Sequence, residues 1–167
     1  ILVISNPRYD LDRGDASAGV TGELDRVEEF LNAGGSLYVM LDPLITGTVQ
    51  LEKLLGDWGI TPRRTEGENG IRDTVTVRDS ANAVTTDGYG LITSFGDSAL
   101  ASEISREMDA AGAGRVIVRE AMPLDLAQRE GKTVSSLLVA SSTATAHANG
   151  KTVDTAGGYT VAAASQD

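Results

Sequence analysis

The sequence predicts an α/β fold in which a parallel, or mostly parallel, sheet is flanked by helices. Two observations support this prediction. Strand, helix, strand and helix patterns alternate within the first sixty residues, and this alternation is typical of parallel strands joined by right-handed helical crossovers. The two strand patterns, Ile1–Ser5 and Ser36–Leu41, are nearly continuous apolar runs, as expected for buried parallel strands.

The first half of the chain contains the clearest elements. Proline turns, Asn6-Pro7 and Asp42-Pro43, close the two strand patterns. Apolar residues at helical spacing predict a first helix over Thr21–Ala33, with Thr21 as its N-cap and Gly34 just beyond its end. A second amphipathic helix that ends at Gly59-Ile60 is predicted by four residues at i, i+3, i+4 and i+7: Leu51, Leu54, Leu55 and Trp58.

The second half is less regular. A short helix is predicted at Ser98–Met108, and Ser141–Gly158, rich in Ser, Thr, Ala and Gly, is predicted to be a loop or a mobile excursion. Gly90–Phe95 fits either a strand or an extended entry to that helix. The remaining strand patterns are Asp73–Asp79, Arg115–Arg119, Thr133–Ala140 and Tyr159–Ala164.

Composition excludes several classes of function. The chain has 167 residues, no cysteine and a formal net charge of −10. The missing thiols exclude disulfides, zinc ribbons and cysteine nucleophiles, and the acidic surface disfavours nucleic acid and anionic membranes as partners. The length suits one α/β domain over residues 1–167, and the abrupt apolar start at Ile1 predicts that upstream residues are missing.

The first sixty residues also carry a family resemblance. Its motifs are Leu2-Val3-Ile4, Asn6-Pro7, Asp10-Leu11, the glycine-led strand from Gly34 to Pro43, Leu54-Leu55 and Trp58-Gly59-Ile60. Looser agreement follows at Leu137-Leu138, Ser141-Ser142 and Gly158–Ala162. The chain resembles the auxiliary subunits of ABC-type transport systems associated with gliding motility, a bacterial family.

The resemblance implies a flavodoxin-like or amidotransferase-like α/β fold. It also implies a location on the extracytoplasmic side of the bacterial inner membrane, with anchoring helices outside this chain. Members usually have a further α/β portion before the first strand and another strand after Asp167, so truncation at both ends is expected. The family has no defined catalytic residues, and amidotransferase chemistry would need a cysteine that this sequence lacks.

Three polar residues near the predicted strand ends are candidates for ligand or partner contact: Asn6, Asp10 and Asp42. The carboxyl ends of neighbouring parallel strands meet at one edge of a sheet, where open α/β sheets bind ligands. Asp42 could bind an amine or a metal there, although capping of the next backbone amides explains an aspartate before proline more simply. Asp10, Asp12 and Asp15 have the oxygen ligands for calcium but not the EF-hand spacing, which favours a solvated acidic loop.

Other motifs favour structural roles. Gly34-Gly35 closes a helix, so it is a C-cap and not a phosphate-binding loop. His147, the only histidine, is predicted to be an exposed loop residue, and no nucleophile elbow accompanies the nearby Ser141-Ser142 pair. Tyr38 and Trp58 are predicted to be core or near-core residues.

These observations favour a non-catalytic binding or interaction domain of an auxiliary transport component. Its partners would be other subunits of the transport system, with no cofactor, no metal and no nucleic acid. The alternative is a metal-assisted hydrolase or transferase that uses carboxylates near Asp10–Asp15 and Asp42. A third possibility is a structural module that spaces other domains.

Overall fold

A computed structural model describes residues 1–66, 72–113 and 115–167. The described residues form thirteen strands, three α-helices and a short 3₁₀ turn at Ala16–Ala18. In chain order the strands and helices are β1 (Leu2–Ser5), α1 (Glu23–Asn32), β2 (Leu37–Met40), α2 (Val49–Asp57), β3 (Ile60–Pro62), β4 (Arg64–Glu66), β5 (Arg72–Thr74), β6 (Thr76–Arg78), β7 (Gly90–Phe95), α3 (Ala99–Ala110), β8 (Val116–Arg119), β9 (Leu124–Leu126), β10 (Thr133–Val139), β11 (Thr145–Ala148), β12 (Lys151–Asp154) and β13 (Thr160–Gln166).

The prediction of a parallel sheet with a flavodoxin-like or amidotransferase-like fold is wrong. Strand accounts for 37% of the described residues and helix for only 21%, and the sheets are mostly antiparallel with a curled half-barrel. Among the described residues only β1 and β2 pair in parallel. After Ile60 the apolar runs are short and separated by turn residues, with one helix among them, and consecutive strands without a crossover helix pair antiparallel.

The first half has the four elements that its pattern predicts. β1 pairs with β2 in parallel, with Leu2 opposite Leu37 and Ser5 opposite Met40. The N-cap of α1 is Gly22 and not Thr21. The Asp25 carboxylate accepts the Gly22 N–H at 2.9 Å, and a side chain on Gly22 would overlap the neighbouring backbone.

The second half consists of antiparallel pairs. β13, β10, β7 and β8 form a four-stranded sheet, β12, β11 and β6 form a three-stranded one, and β3–β9 and β4–β5 are two-stranded. The pattern at Asp73–Asp79 is split between β5 and β6. The prediction of a loop over Ser141–Gly158 is wrong, because β11 and β12 form a hairpin there. Asn149 and Gly150 both have positive φ, as a two-residue type I′ turn requires.

Two clusters of buried apolar side chains stabilise the two halves. The first joins α1 and α2 to one face of β1–β2 through Leu24, Val27, Leu31 and Leu54. The second fills the antiparallel half with Val75, Val77, Leu91, Ala121, Ala140, Ala144, Ala146, Ala148 and Tyr159. Two contacts of basic side chains join the two halves of the chain. The Lys132 ammonium lies 3.3 Å from the centre of the Trp58 ring, and Arg129 Nε donates to the Gly56 carbonyl at 3.1 Å.

Candidate functional site

Asn6 and Asp42 lie side by side where β1 and β2 end. Asn6 has a φ of 49°, and its N–H donates to the Met40 carbonyl at 2.9 Å. The Asp42 carboxylate accepts the Leu44 N–H at 2.9 Å and so turns the chain after β2. The structure therefore brings these two predicted contact residues to one edge, and it gives Asp42 the turn contact expected of an aspartate before proline.

Asp10 serves as a long-range cap for α2. Its Oδ2 accepts the Gln50 N–H at 2.6 Å, and its Oδ1 accepts the Leu51 N–H at 3.1 Å. Oδ1 also accepts the Leu11 N–H at 3.1 Å within its own loop. Carboxylates at this position satisfy free amides and interact favourably with the helix dipole. Both oxygens of Asp10 are thus engaged in holding the loop after β1 against α2.

The acidic loop does not assemble into a metal site. Asp15 binds its own turn through the Ser17 hydroxyl at 2.5 Å and the Ser17 N–H at 2.9 Å, and these hydrogen bonds lower the pKa of Asp15. Asp10 is directed at α2 instead. Within residues 1–66, 72–113 and 115–167, no three His, Asp or Glu side chains converge as metal ligands.

The outer face of the β1–β2 pair is apolar and exposed. On the inner face Ile4 and Leu37 pack against the helices. On the opposite face the exposed fractions are 55% for Val3, 57% for Tyr38 and 43% for Met40. The prediction that Tyr38 is a core or near-core residue is therefore wrong, because β2 has helices on one side only; Trp58 is half-buried against the first cluster.

The outer edge of β1 has unpaired backbone groups. The Leu2 N–H donates to the Ser36 carbonyl at 2.8 Å and the Asn6 N–H donates to Met40. In a parallel pair, every second residue directs its backbone N–H and C=O groups toward the neighbouring strand. Because Leu2 and Asn6 face β2, the N–H and C=O groups of Val3 and Ser5 point away from it. β1 has no other strand partner in the described part of the chain.

A buried ion cluster supports the loop that follows β2. Glu52 on α2 is almost completely buried and lies between Arg64 and Arg72. Arg64 donates to the Pro43 carbonyl at 2.5 Å, to the Ile45 carbonyl at 2.7 Å and to Glu52 Oε1 at 3.1 Å. These bonds hold the loop against β4, because Arg64 of β4 lies 21 residues after Pro43 in the chain.

His147 lies in β11 and lines a cavity of about 440 Å³. The prediction of an exposed loop histidine is wrong, because the alternation of Ala144, Ala146 and Ala148 into the core makes this segment a strand. Its Nε2 lies 2.8 Å from the Thr145 hydroxyl. Burial and then the positive charge of Arg78 lower the pKa of His147 from its usual value, which favours the neutral form of the ring.

Ser141 is bound to a buried aspartate rather than to His147. Its hydroxyl donates to Asp79 Oδ2, and Asp79 Oδ1 accepts the Thr143 hydroxyl at 3.0 Å and the Asn82 N–H at 3.0 Å. Burial opposes ionisation, yet these bonds outweigh it and lower the pKa of Asp79. These hydrogen bonds hold the end of β6 against the segment before β11. The Ser141 hydroxyl therefore has an aspartate partner and no histidine base, unlike the nucleophile of a catalytic triad.

Comparisons with known proteins identify no relative of this chain. No protein-family model, no curated protein and no solved structure matches the chain. No family is assigned. No helix in the described residues has the length and apolar character needed to cross a bilayer.

Proposed function

We propose that the chain is a protein-interaction domain whose contact surface is the outer face of the β1–β2 pair together with the outer edge of β1. A strand of a partner protein adds to β1 there, beside the loops of Asn6 and Asp42. The resemblance to auxiliary subunits of ABC-type transport systems suggests another subunit as that partner and an extracytoplasmic location, and both are part of the proposal. The observation that supports it best is that no strand among the described residues covers the outer edge of β1.

Natural sheets protect a free edge with charges, proline or bulges, because unpaired backbone groups invite another strand. β1 has none of these: Leu2–Ser5 is Leu-Val-Ile-Ser. A two-stranded sheet of four residues per strand is also marginal by itself. Addition of a strand to such an edge is a common mode of peptide recognition, in which the backbone gives affinity.

The exposed face supplies apolar contacts beside that edge. Parallel sheets are normally covered on both faces, whereas this pair has Val3, Tyr38 and Met40 exposed on one side. A contiguous exposed apolar patch marks an interaction surface more often than scattered residues do. The added strand can therefore also bury side chains.

Charge favours a basic partner over a second copy of the chain. Residues 1–57 carry ten acidic and four basic side chains, a local balance of −6. Two copies would bring like charges together, whereas lysines flanking a partner strand would complement them and speed association. The occupant that the surface fits is an apolar strand with basic flanks.

Two matched peptides test this proposal. Each has about eight alternating valine and threonine residues, with two lysines at each end of one and two glutamates at each end of the other. The lysine peptide should bind the full chain measurably in a fluorescence-anisotropy titration, and the glutamate peptide at least about tenfold more weakly.

Val3→Lys places a charge beside the edge and should abolish binding of the lysine peptide. Val153→Lys is the matched control, because Val153 is 47% exposed on the edge strand β12. Equal losses in the two variants, equal binding of the two peptides, or no binding by the unmodified chain would overturn the proposal. Concentration-dependent dimerisation abolished by Val3→Lys would assign the edge to a second copy instead.

A further inference from the structure

We infer that Met40 is an oxidation site that regulates the proposed contact surface: a peroxide converts its thioether to a sulfoxide and so weakens binding of the partner strand. Met40 lies on the outer face of the β1–β2 pair, where its side chain is 43% exposed. Because that face belongs to the contact surface proposed above, this regulation rests on the proposed function.

Met40 is the methionine most open to solvent. The chain has three methionines. Met40 is 43% exposed, Met108 on α3 is half-buried, and Met122 is only 5% exposed. Oxidation of a thioether requires contact with the oxidant, so reactivity follows exposure. A peroxide should therefore modify Met40 first and Met122 last.

The register of β1 and β2 places Met40 close to the edge that the partner strand would occupy. Met40 is directly opposite Ser5, and directly opposite side chains share one face of a sheet. Ser5 is exposed and has a short side chain. The flexible Met40 side chain can extend across this serine toward a strand added to β1. The thioether thus supplies the apolar contact at this position, as Val3 does two residues earlier on β1.

The reaction needs a peroxide and no other reagent. A lone pair of the Met40 sulfur attacks one oxygen of hydrogen peroxide, and an S–O bond forms while the O–O bond breaks. The departing hydroxide takes the proton of the transferred oxygen and becomes water. The sulfur is oxidised by two electrons and the peroxide is reduced, so the products are the sulfoxide and water. Methionine sulfoxide reductases reverse this change, which makes the modification reversible.

The sulfoxide alters the contact surface and leaves the fold in place. Its polar oxygen loses hydrogen bonds to water when a partner covers it, and this loss opposes binding. Met40 belongs to neither of the two buried apolar clusters, so the fold does not depend on burial of its thioether. The backbone groups at the β1 edge are unchanged, so oxidation should weaken binding without abolishing it.

The order of oxidation is measured on the full chain alone. We would treat it with hydrogen peroxide, stop the reaction at successive times and locate the added oxygen by mass spectrometry of proteolytic peptides. Met40 should be oxidised first, while circular dichroism shows an unchanged fold. Oxidation of Met108 or Met122 before Met40 would overturn the assignment of the site. This readout involves no partner, so it is independent of the proposed function.

The effect on binding is measured with the lysine-flanked peptide. Oxidation limited to Met40 should weaken its binding at least about threefold, the effect of losing the burial of one methyl-sized apolar group, and a methionine sulfoxide reductase should restore it. Equal affinities before and after oxidation would overturn the regulation. If the untreated chain does not bind the peptide, the proposed function and its regulation both fail, whereas the order of oxidation still decides the modification site.

Two variants assign the effect to one sulfur. In Met40→Leu the affinity should be the same in treated and untreated samples of that variant, because leucine has no thioether to oxidise. Met108→Leu is the matched control and should keep the full response to peroxide. A response that persists in Met40→Leu, or that disappears in Met108→Leu, would contradict the role of Met40.

Discussion

Replacement of Asp10 by alanine tests the long-range cap on α2. The carboxylate accepts two helix amides, from Gln50 and Leu51, and one loop amide. Loss of an N-cap costs about 0.5–2 kcal/mol, and loss of a negative charge at a helix N-terminus costs about 0.3–1 kcal/mol more. Because two helix amides lose their acceptor together, we expect Asp10→Ala to lower the free energy of unfolding by about 2 kcal/mol.

Urea denaturation followed by circular dichroism measures this loss. Asp10→Asn retains one acceptor oxygen and should lose about half as much. Asp12→Ala is the control, because Asp12 is exposed and contributes its backbone groups to the contacts described; its change should stay within about 0.5 kcal/mol. A loss for Asp10→Ala no larger than that of Asp12→Ala would refute the cap.

Three further predictions follow from the antiparallel half and its junction. Gly59 has a φ of 82° and a side chain there would overlap a neighbouring carbonyl, so Gly59→Ala should destabilise by more than about 2 kcal/mol. Gly112→Ala has a similar φ but open space around it and should cost about 1 kcal/mol in the same urea experiment. Because the pKa of Asp79 is lowered in the folded state, its contribution to stability is present above the unfolded value of about 3.9 and is lost as the pH falls through the folded value. The stability gap between the unmodified chain and Asp79→Asn should therefore narrow below about pH 4, and a gap that widens in acid would contradict this. The NMR titration midpoint of His147 should lie below 6.5, and a midpoint above that value would contradict its burial.

The elements of the first half could be predicted because their signals are local. The stripe of Leu24, Val27 and Leu31 predicts α1, and all three residues are buried in the structure. The exact N-cap could not be read from Thr21, because the cap depends on the packing of Gly22 against Gly14, eight residues earlier. Spacing gives the buried face of a helix, whereas tertiary contacts decide its first residue.

The sheet class could not be extrapolated from those sixty residues. β10 pairs with β7 and β13, and strand pairing over such separations is not encoded in local periodicity. The β11–β12 hairpin is different, because its signal was present in the sequence. Asn149-Gly150 lies between alternating segments, which is the strongest short-range hairpin pattern, and the Ser, Thr and Ala composition concealed it.

The candidate sites depend on contacts between distant residues. Asp10 binds amides 40 and 41 positions away, and Glu52 meets Arg72 across 20 positions. Within α2 the sequence signal for the buried ion cluster was the charged Glu52, which directly follows Leu51 of the apolar stripe and is buried with it. A buried carboxylate at such a position requires a cationic partner, but the sequence does not say which arginine supplies it.

Backbone amide exchange in β1 tests the central claim, that a partner strand adds to this edge. With the lysine-flanked peptide bound, NMR-detected exchange should slow at the amides of Val3 and Ser5, which point away from β2, and remain unchanged at Val153 on β12. Protection at Val153 with no change at Val3 and Ser5 would contradict the proposed site of strand addition.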